Sequence, residues 1–305
     1  MYNFCLKPIR TTHNKLIVAG VTISLLLVGC DVATIKQLGA KVGLRGQDIS
    51  SSAITTLNNI RDLESKDYAQ KTISAVIVTP IDPNSATKVA FPTITHDSLL
   101  EQVQLRINAY KQFGKAYEAI QQLSEKNFGE QTQKVASELV NSVTAIKGIP
   151  NLPGPVSAAI PAVASIVVET KQANAIKKYN AILAKLSLAY KELWDSDKQL
   201  WKSYFDRVKN SYVNSLKSVP DDRFNVAKLK ELVGQPFTDA YLVTLYKANE
   251  SARLDREMQT LQSQIDAVSE AFRLLNKAHE DLDNEKPSYG DVNAMLDRII
   301  TILEA

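Results

Sequence analysis

Glycine and proline are scarce in this chain of 305 residues, with 11 of each, and both are clustered. Because these residues interrupt regular structure, the long stretches between the clusters are free to form helices. The sequence therefore predicts a mainly all-α fold, in the form of an elongated antiparallel helical bundle or coiled coil.

Recognisable catalytic and cofactor motifs are also missing. Beyond the first thirty residues there are two histidines, His96 and His279, and they fall in different predicted elements. Asp283 follows His279 by one helical turn, but a metal site needs three or four ligands and the sequence offers no third. We therefore interpret His279 as a packed histidine. The sequence has no glycine-rich phosphate loop and no nucleophile-elbow serine, so we predict no enzyme activity, no cofactor and no metal.

What the sequence does contain is an uncharged run near its start. Residues 1–15 carry Lys7, Arg10 and Lys15 and no acidic residue, and residues 16–29, LIVAGVTISLLLVG, carry no charge. A basic lead followed by a short apolar core is typical of a secretory signal peptide. The run is shorter than the roughly 20 apolar residues that span a bilayer.

The run ends in Leu27-Val28-Gly29-Cys30, which resembles the lipobox of bacterial lipoproteins. The resemblance implies that residues 1–29 are a signal peptide removed before Cys30, whose thiol carries a diacylglycerol and whose amine usually carries a further acyl chain such as palmitate. Two or more chains anchor a protein stably, so we expect a periplasm-facing protein of the bacterial cell envelope. Asp31 resembles the aspartate that retains enteric lipoproteins in the inner membrane. The alternative is that Cys30 is an ordinary buried cysteine.

The charge of the chain changes once residues 1–29 are removed. The precursor has 36 Lys and Arg against 33 Asp and Glu, and the three basic residues of the leader account for the difference. A mature chain of zero net charge gives no electrostatic case for nucleic acid as a partner. Cys5 leaves with the leader, so the mature chain can form no internal disulfide.

The domain organisation follows from the glycines and the helix signals. Gly39, Gly43 and Gly46 predict that the lipidated residues 30–46 form a flexible tether. Asp48 is then expected to cap the first helix, and residues 47–305 to form a single elongated helical domain.

Residues 72–95 interrupt the helical pattern. Val76, Ile77 and Val78 are β-branched and favour extended structure, and Asp82-Pro83-Asn84-Ser85 has the composition of a turn. This stretch predicts a small β-hairpin, or two extended arms, resting on the helices.

Two heptad stripes dominate the second half of the chain. Their residues alternate spacings of three and four over about four heptads, which is typical of a coiled coil. We expect the two helices to fold back antiparallel and bury these seams on each other. The first seam is Ile176, Tyr179, Leu183, Leu186, Tyr190, Leu193, Asp197, Leu200 and Tyr204, and the second is Leu254, Met258, Leu261, Ile265, Val268, Phe272, Leu275, His279 and Leu282.

Two features of the first striped helix are open to more than one interpretation. Asp197 interrupts the seam, either to fix its register or to mark a local opening of the bundle. Beside the seam, a second apolar strip either packs against a third helix or docks a partner helix. The strip consists of Trp194, Trp201, Phe205 and Tyr212.

Residues 148–168, GIPNLPGPVSAAIPAVASIVV, contain no charge, and their four prolines exclude a continuous straight helix. They form either a tight packed connection or an apolar tip that enters a membrane or a pocket on a partner. In outline, long helices with such a tip resemble the cytolysin-A type of helical pore-forming toxin. The large apolar residues of the tip are Leu152, Val156, Ile160, Val163 and Ile166.

These features lead to two hypotheses for function. The first is a membrane-anchored envelope lipoprotein that acts as a non-catalytic interaction scaffold or adaptor for a protein partner. The alternative is a membrane-active, pore-forming-like helical protein that inserts residues 148–168 into a bilayer.

Overall fold

Six helices make up most of the chain that the structure describes. The computed structural model describes the backbone of residues 16–64, 97–125, 137–138, 141–142, 144–149, 172–221, 224–233, 238–283 and 288–304, and in the first helix it describes side chains from Ala33 onward. A mainly all-α bundle is confirmed, and these ranges contain no strand. The helices are α1 (Leu16–Glu64), α2 (Asp97–Glu125), α3 (Gln172–Ser218), α4 (Val226–Val233), α5 (Asp239–Asp283) and α6 (Tyr289–Leu303).

The two striped helices, α3 and α5, are antiparallel, as their heptads predict. Near one end of the pair Asn180 Nδ2 donates a hydrogen bond to Asp283 Oδ1 (2.8 Å), and near the other the Tyr212 hydroxyl donates to Glu250 Oε2 (3.0 Å). Of the predicted seam residues, only Leu200 is exposed. The seams therefore meet each other in the core.

The flexible tether predicted over residues 30–46 is wrong. α1 runs without a break from Leu16 to Glu64, and its side chains enter the core from Ile35 onward. Asp48 consequently lies inside α1 and does not cap it. Glycine can indicate flexibility, but these three glycines lie within a helix, where they let a neighbouring helix approach closely.

That neighbour is α2, which runs antiparallel to α1. A Cβ atom on Gly43 would lie 2.7 Å from the carbonyl oxygen of Tyr117 and 2.7 Å from the backbone nitrogen of Gln121. One on Gly46 would overlap the Tyr117 ring, and one on Gly39 would overlap Ser124 Oγ. The glycines are required because α2 occupies the space that a side chain would need.

The remaining helices complete the bundle. α2 crosses to α3 through the Tyr110 hydroxyl, which donates to the Tyr190 carbonyl (3.2 Å). α6 lies against α5 and α1, and Lys41 Nζ on α1 contacts Asn293 Oδ1 (3.1 Å) and Asp297 Oδ1 (2.8 Å) on α6. The short helix α4 packs on α5. The β-hairpin predicted at 72–95 lies outside the described residues.

Candidate functional site

The predicted lipid-attachment residue, Cys30, precedes the core by a short distance. Its side chain lies outside the described part of the structure, so lipid attachment at Cys30 and sorting by Asp31 stay predictions. The backbone of α1 is helical through both residues. Ile35 is the first side chain of the core and Leu38 the next. Five helical residues span about 7.5 Å, so Cys30 adjoins the folded bundle directly.

The four residues proposed as a docking strip are buried within the chain itself. Trp194, Trp201, Phe205 and Tyr212 are all at most 5% exposed. The Trp194 indole donates to the carbonyl of Ile265 on α5 (3.0 Å). The Trp194 ring also packs on Tyr110 of a third helix, α2, with ring centres 5.5 Å apart. These contacts favour packing against a third helix over a docking strip, because a partner helix cannot reach the buried side chains.

Asp197 forms a buried ion pair with Arg106 of α2. The guanidinium holds both carboxylate oxygens, with Nη2 2.7 Å from Oδ1 and Nε 2.5 Å from Oδ2. Arg106 Nη1 also donates to Gln102 Oε1 (2.7 Å), and its Cζ lies 5.7 Å from the centre of the Trp201 ring. Because Asp197 is only 4% exposed, it does not mark an opening.

The environment of Asp197 has two opposing effects on its ionisation. Burial raises the pKa of this carboxyl above its ordinary value, and the hydrogen bonds and charge of Arg106 work in the opposite direction. The guanidinium and the carboxylate bind through two hydrogen bonds in one defined geometry, so the pair fixes the position of α2 along α3. Asp197 therefore fixes α2 against α3, and not the register of the α3–α5 seam in which the sequence places it.

His279 lies at the centre of a buried chain of hydrogen bonds between three helices. The Tyr117 hydroxyl is 2.8 Å from His279 Nε2, and His279 Nδ1 is 2.7 Å from Asn180 Oδ1. Asn180 Nδ2 donates to Asp283 Oδ1. One consistent assignment has the tyrosine donating to Nε2 and the protonated Nδ1 donating to the amide oxygen.

Burial sets the protonation state of this histidine. Desolvation lowers the pKa of His279 from 6.5 to about 3, so the ring is neutral at ordinary pH. In that assignment Nδ1 donates a hydrogen bond and the Nε2 lone pair accepts one, so the ring offers no free lone pair to a metal. The interpretation of His279 as a packed residue is confirmed, and Asp283 contacts Asn180 rather than a shared ion.

Surface clefts border α1 on two sides. A cleft of about 550 Å³ between α1 and α2 is lined by Gln47, Asn108, Lys111 and Glu118, among others. A second, of about 430 Å³, lies between α1, α5 and the end of α6, where hydroxyl groups such as that of Ser263 surround Val268 and Ile302. Across the described ranges, no group of three or more His, Cys, Asp or Glu side chains is placed to hold a metal ion.

The proposed apolar tip is represented in the described residues only by its first two positions. Gly148 lies in a turn, and Ile149 is 3% exposed and belongs to the core. The tip side chains Leu152, Val156, Ile160, Val163 and Ile166 lie outside the described residues, so their insertion into a bilayer stays a prediction.

Sequence reasoning missed two groups of residues that organise this core. Arg106 was not recognised because its partner lies 91 positions away. The aromatic side chains of α2 form a cluster with those of α3 and α5, where the Phe113 ring centre lies 4.7 Å from that of Tyr190 and 5.5 Å from that of Phe272.

Comparison with known protein families, with curated proteins and with solved structures finds no match to this chain. Among the residues whose side chains the structure describes, no helix has the length and apolarity needed to cross a membrane.

Proposed function

We propose that the protein is a bacterial envelope lipoprotein, held in the membrane by lipid on Cys30 and acting as a non-catalytic scaffold or adaptor. The observation that carries this proposal is Leu27-Val28-Gly29-Cys30, placed directly after a basic lead and an uncharged run. Signal peptide, lipid attachment and periplasmic exposure all follow from that arrangement. Asp31 favours the inner membrane.

The non-catalytic role is supported by how the buried polar groups are used. Asp197 is bound to Arg106, and His279 is hydrogen-bonded at both nitrogens. General acid-base chemistry needs a group within reach of a substrate proton, and these groups are enclosed between helices. Their contacts hold helices together.

A scaffold needs a surface for its protein partner, and the tryptophan strip does not supply it. The large apolar side chains that remain accessible in the described residues are Leu44, Leu188, Leu200 and Tyr241, which are between 40% and 51% exposed. Leu188 and Leu200 share α3. These positions are the starting points for locating a partner.

The lipid attachment is tested by metabolic labelling with a palmitate analogue and by cell fractionation. The native protein is expected to take up label and to pellet with membranes, and Cys30→Ser is expected to lose both properties. Cys5→Ser is the matched control, because Cys5 leaves with the leader, and it should behave like the native protein. Equal labelling of the native and Cys30→Ser proteins would contradict the proposal.

The adaptor role is tested by site-specific photo-crosslinking in cells. A crosslinker at Leu188, Leu200 or Tyr241 is expected to give one defined adduct with an envelope protein, and one at the buried Trp194 is expected to give none. Absence of an adduct at every exposed position would argue against a protein partner along this surface.

The membrane-active alternative predicts a different result. It rests on the uncharged residues 148–168 and requires that the lipidated protein release dye from vesicles. It also requires that Val156→Asp with Ile160→Asp abolish the release. Dye release that is lost in the Val156→Asp, Ile160→Asp variant would favour a membrane-active function over the scaffold role.

A further inference from the structure

The structure shows which end of the bundle the predicted lipid would hold. At that end, Lys41 on α1 contacts the beginning of α6 through Asn293. Gly39 lies against Ser124 and Ile176, which places the end of α2 and the beginning of α3 beside it. We call this group of helix ends the anchor end.

The end of α5 belongs to the anchor end as well, because Asp283 accepts a hydrogen bond from Asn180 near the beginning of α3. The opposite end contains the end of α3 and the beginning of α5, where Lys247 Nζ contacts Asp221 Oδ1 (2.8 Å). The two ends are well separated, since α5 alone is 45 residues long and spans about 67 Å.

The link between lipid and bundle is short whatever its conformation. Cys30 and the first core residue, Ile35, are five residues apart. In a helix that separation is about 7.5 Å, and even a fully extended chain reaches no more than roughly 18 Å. A tether over residues 30–46 would instead have reached roughly 55 Å. The absence of that tether removes the freedom of the bundle to turn over.

We propose that the anchor end is the surface of this protein that lies against the lipid bilayer, with the opposite end directed into the periplasm. The proposal rests on lipid attachment at Cys30. It also gives the scaffold a direction, because Tyr241, 51% exposed near the beginning of α5, is then presented away from the membrane.

The exposed charges that the structure describes at the anchor end do not favour one kind of lipid headgroup. Its exposed side chains include both signs, with Lys177 and Lys277 on one hand and Glu280 and Asp291 on the other. Mixed charges give little net attraction to anionic headgroups, which draw polybasic segments. The order of distances from the bilayer is therefore expected to be the same in neutral and anionic vesicles.

The orientation is tested by energy transfer from single labelled cysteines to an acceptor on lipid headgroups. Cys5 is removed with the leader and the Cys30 thiol carries the lipid, so an introduced cysteine is the only free thiol of the mature protein. Suitable exposed sites are Gln37→Cys at the anchor end and Ala248→Cys towards the opposite end. Glu280→Cys is matched to Ala248→Cys, because both lie on α5, roughly 48 Å apart.

The full lipidated protein, purified from membranes, is reconstituted in phosphatidylcholine vesicles and in vesicles containing phosphatidylglycerol. Transfer is expected to be strongest from position 37, weaker from 280 and several-fold weaker from 248, in both lipids. Equal transfer from all three sites, or stronger transfer from 248, would overturn the orientation.

A flotation measurement separates failure of this proposal from failure of the lipid anchor. If the native protein floats with vesicles and Cys30→Ser does not, the anchor stands and the transfer data decide the orientation alone. If both proteins float equally, or neither floats, Cys30 is not the anchor and the orientation falls with it.

Discussion

The two main helix pairs of this bundle are built on different chemistry. α3 and α5 meet through large apolar seams in heptad order, and Lys198–Asp266 is one of the ion pairs along their edges. α1 and α2 meet where Gly39, Gly43 and Gly46 leave no side chain between them. Glycine in a sequence can indicate either a flexible segment or a close contact between helices. Only the position of the neighbouring helix distinguishes the two.

Gly290 is a helical glycine without a close neighbour. It lies in the first turn of α6, and a Cβ atom placed on it would meet nothing within 4 Å. The same residue type is therefore indispensable at Gly43 and replaceable at Gly290. The two sites form a matched pair for experiment.

The largest effect is expected at the ion pair between Arg106 and Asp197, which joins α2 of one helix pair to α3 of the other. Arg106→Met leaves a carboxylate buried without its partner, which typically costs about 3–5 kcal/mol in the free energy of unfolding. Urea denaturation measures this loss.

The double variant Arg106→Met with Asp197→Leu is the control, because an apolar pair carries no orphan charge. It is expected to recover most of the stability. A single variant as stable as the native protein would show that the ion pair does not join the two helix pairs.

The next largest effect tests the close contact of α1 with α2. Gly43→Ala places a methyl group against backbone atoms of α2, which cannot move aside as a side chain can. We expect a loss of about 1–3 kcal/mol, although alanine has a higher helix propensity by about 1 kcal/mol. Gly290→Ala should leave stability unchanged or raise it. A Gly43→Ala protein that melts at a higher temperature than the native protein would show that α2 does not approach Gly43 this closely.

A pH-dependent effect tests the polar chain where α2, α3 and α5 meet. The pKa of His279 is about 3 in the folded protein and about 6.5 in an unfolded chain. Between about pH 3 and pH 6.5 the histidine is therefore protonated in the unfolded state but not in the folded state. Stability contributed by the neutral ring is therefore complete above about pH 6.5, and it falls by about 1.4 kcal/mol per pH unit as the solution is acidified.

His279→Gln removes this titration and is expected to show a shallower decline of unfolding free energy between pH 6 and pH 4. The comparison of slopes cancels the titrating groups that the two proteins share. Parallel pH profiles for the two proteins would mean that His279 is accessible to protons when folded.

The smallest effect is expected at the exposed edge of the α3–α5 pair. Lys209 Nζ lies 2.5 Å from Asp255 Oδ1, and both side chains are about 40% exposed. Surface ion pairs contribute between about 0 and 1 kcal/mol, so Lys209→Ala should shift the midpoint of urea denaturation only slightly. A loss as large as that of Arg106→Met would mean that charge, rather than the apolar seam, holds this pair together.

The sequence was sufficient where a regular pattern determined the structure. The heptads predicted α3, α5 and their antiparallel contact, because the seam is a local repeat that each helix carries on its own face. Gly43 could not be interpreted in the same way, since its requirement comes from the backbone of α2.

The site residues also differ in whether a local pattern or a distant segment of the chain determines their role. Burial of Trp194 and pairing of Asp197 depend on which third helix covers α3, and nothing near Asp197 in the sequence indicates Arg106. The lipid attachment at Cys30 is the reverse case, because it rests on a local sequence pattern.

The most direct test of the account is the mass of the N-terminal tryptic peptide of the protein purified from bacterial membranes. Lipid attachment and removal of the leader predict a peptide from Cys30 to Lys36 with diacylglycerol on the cysteine thiol. A peptide that continues from Gly29 through an unmodified Cys30 would contradict both the anchor and the orientation derived from it.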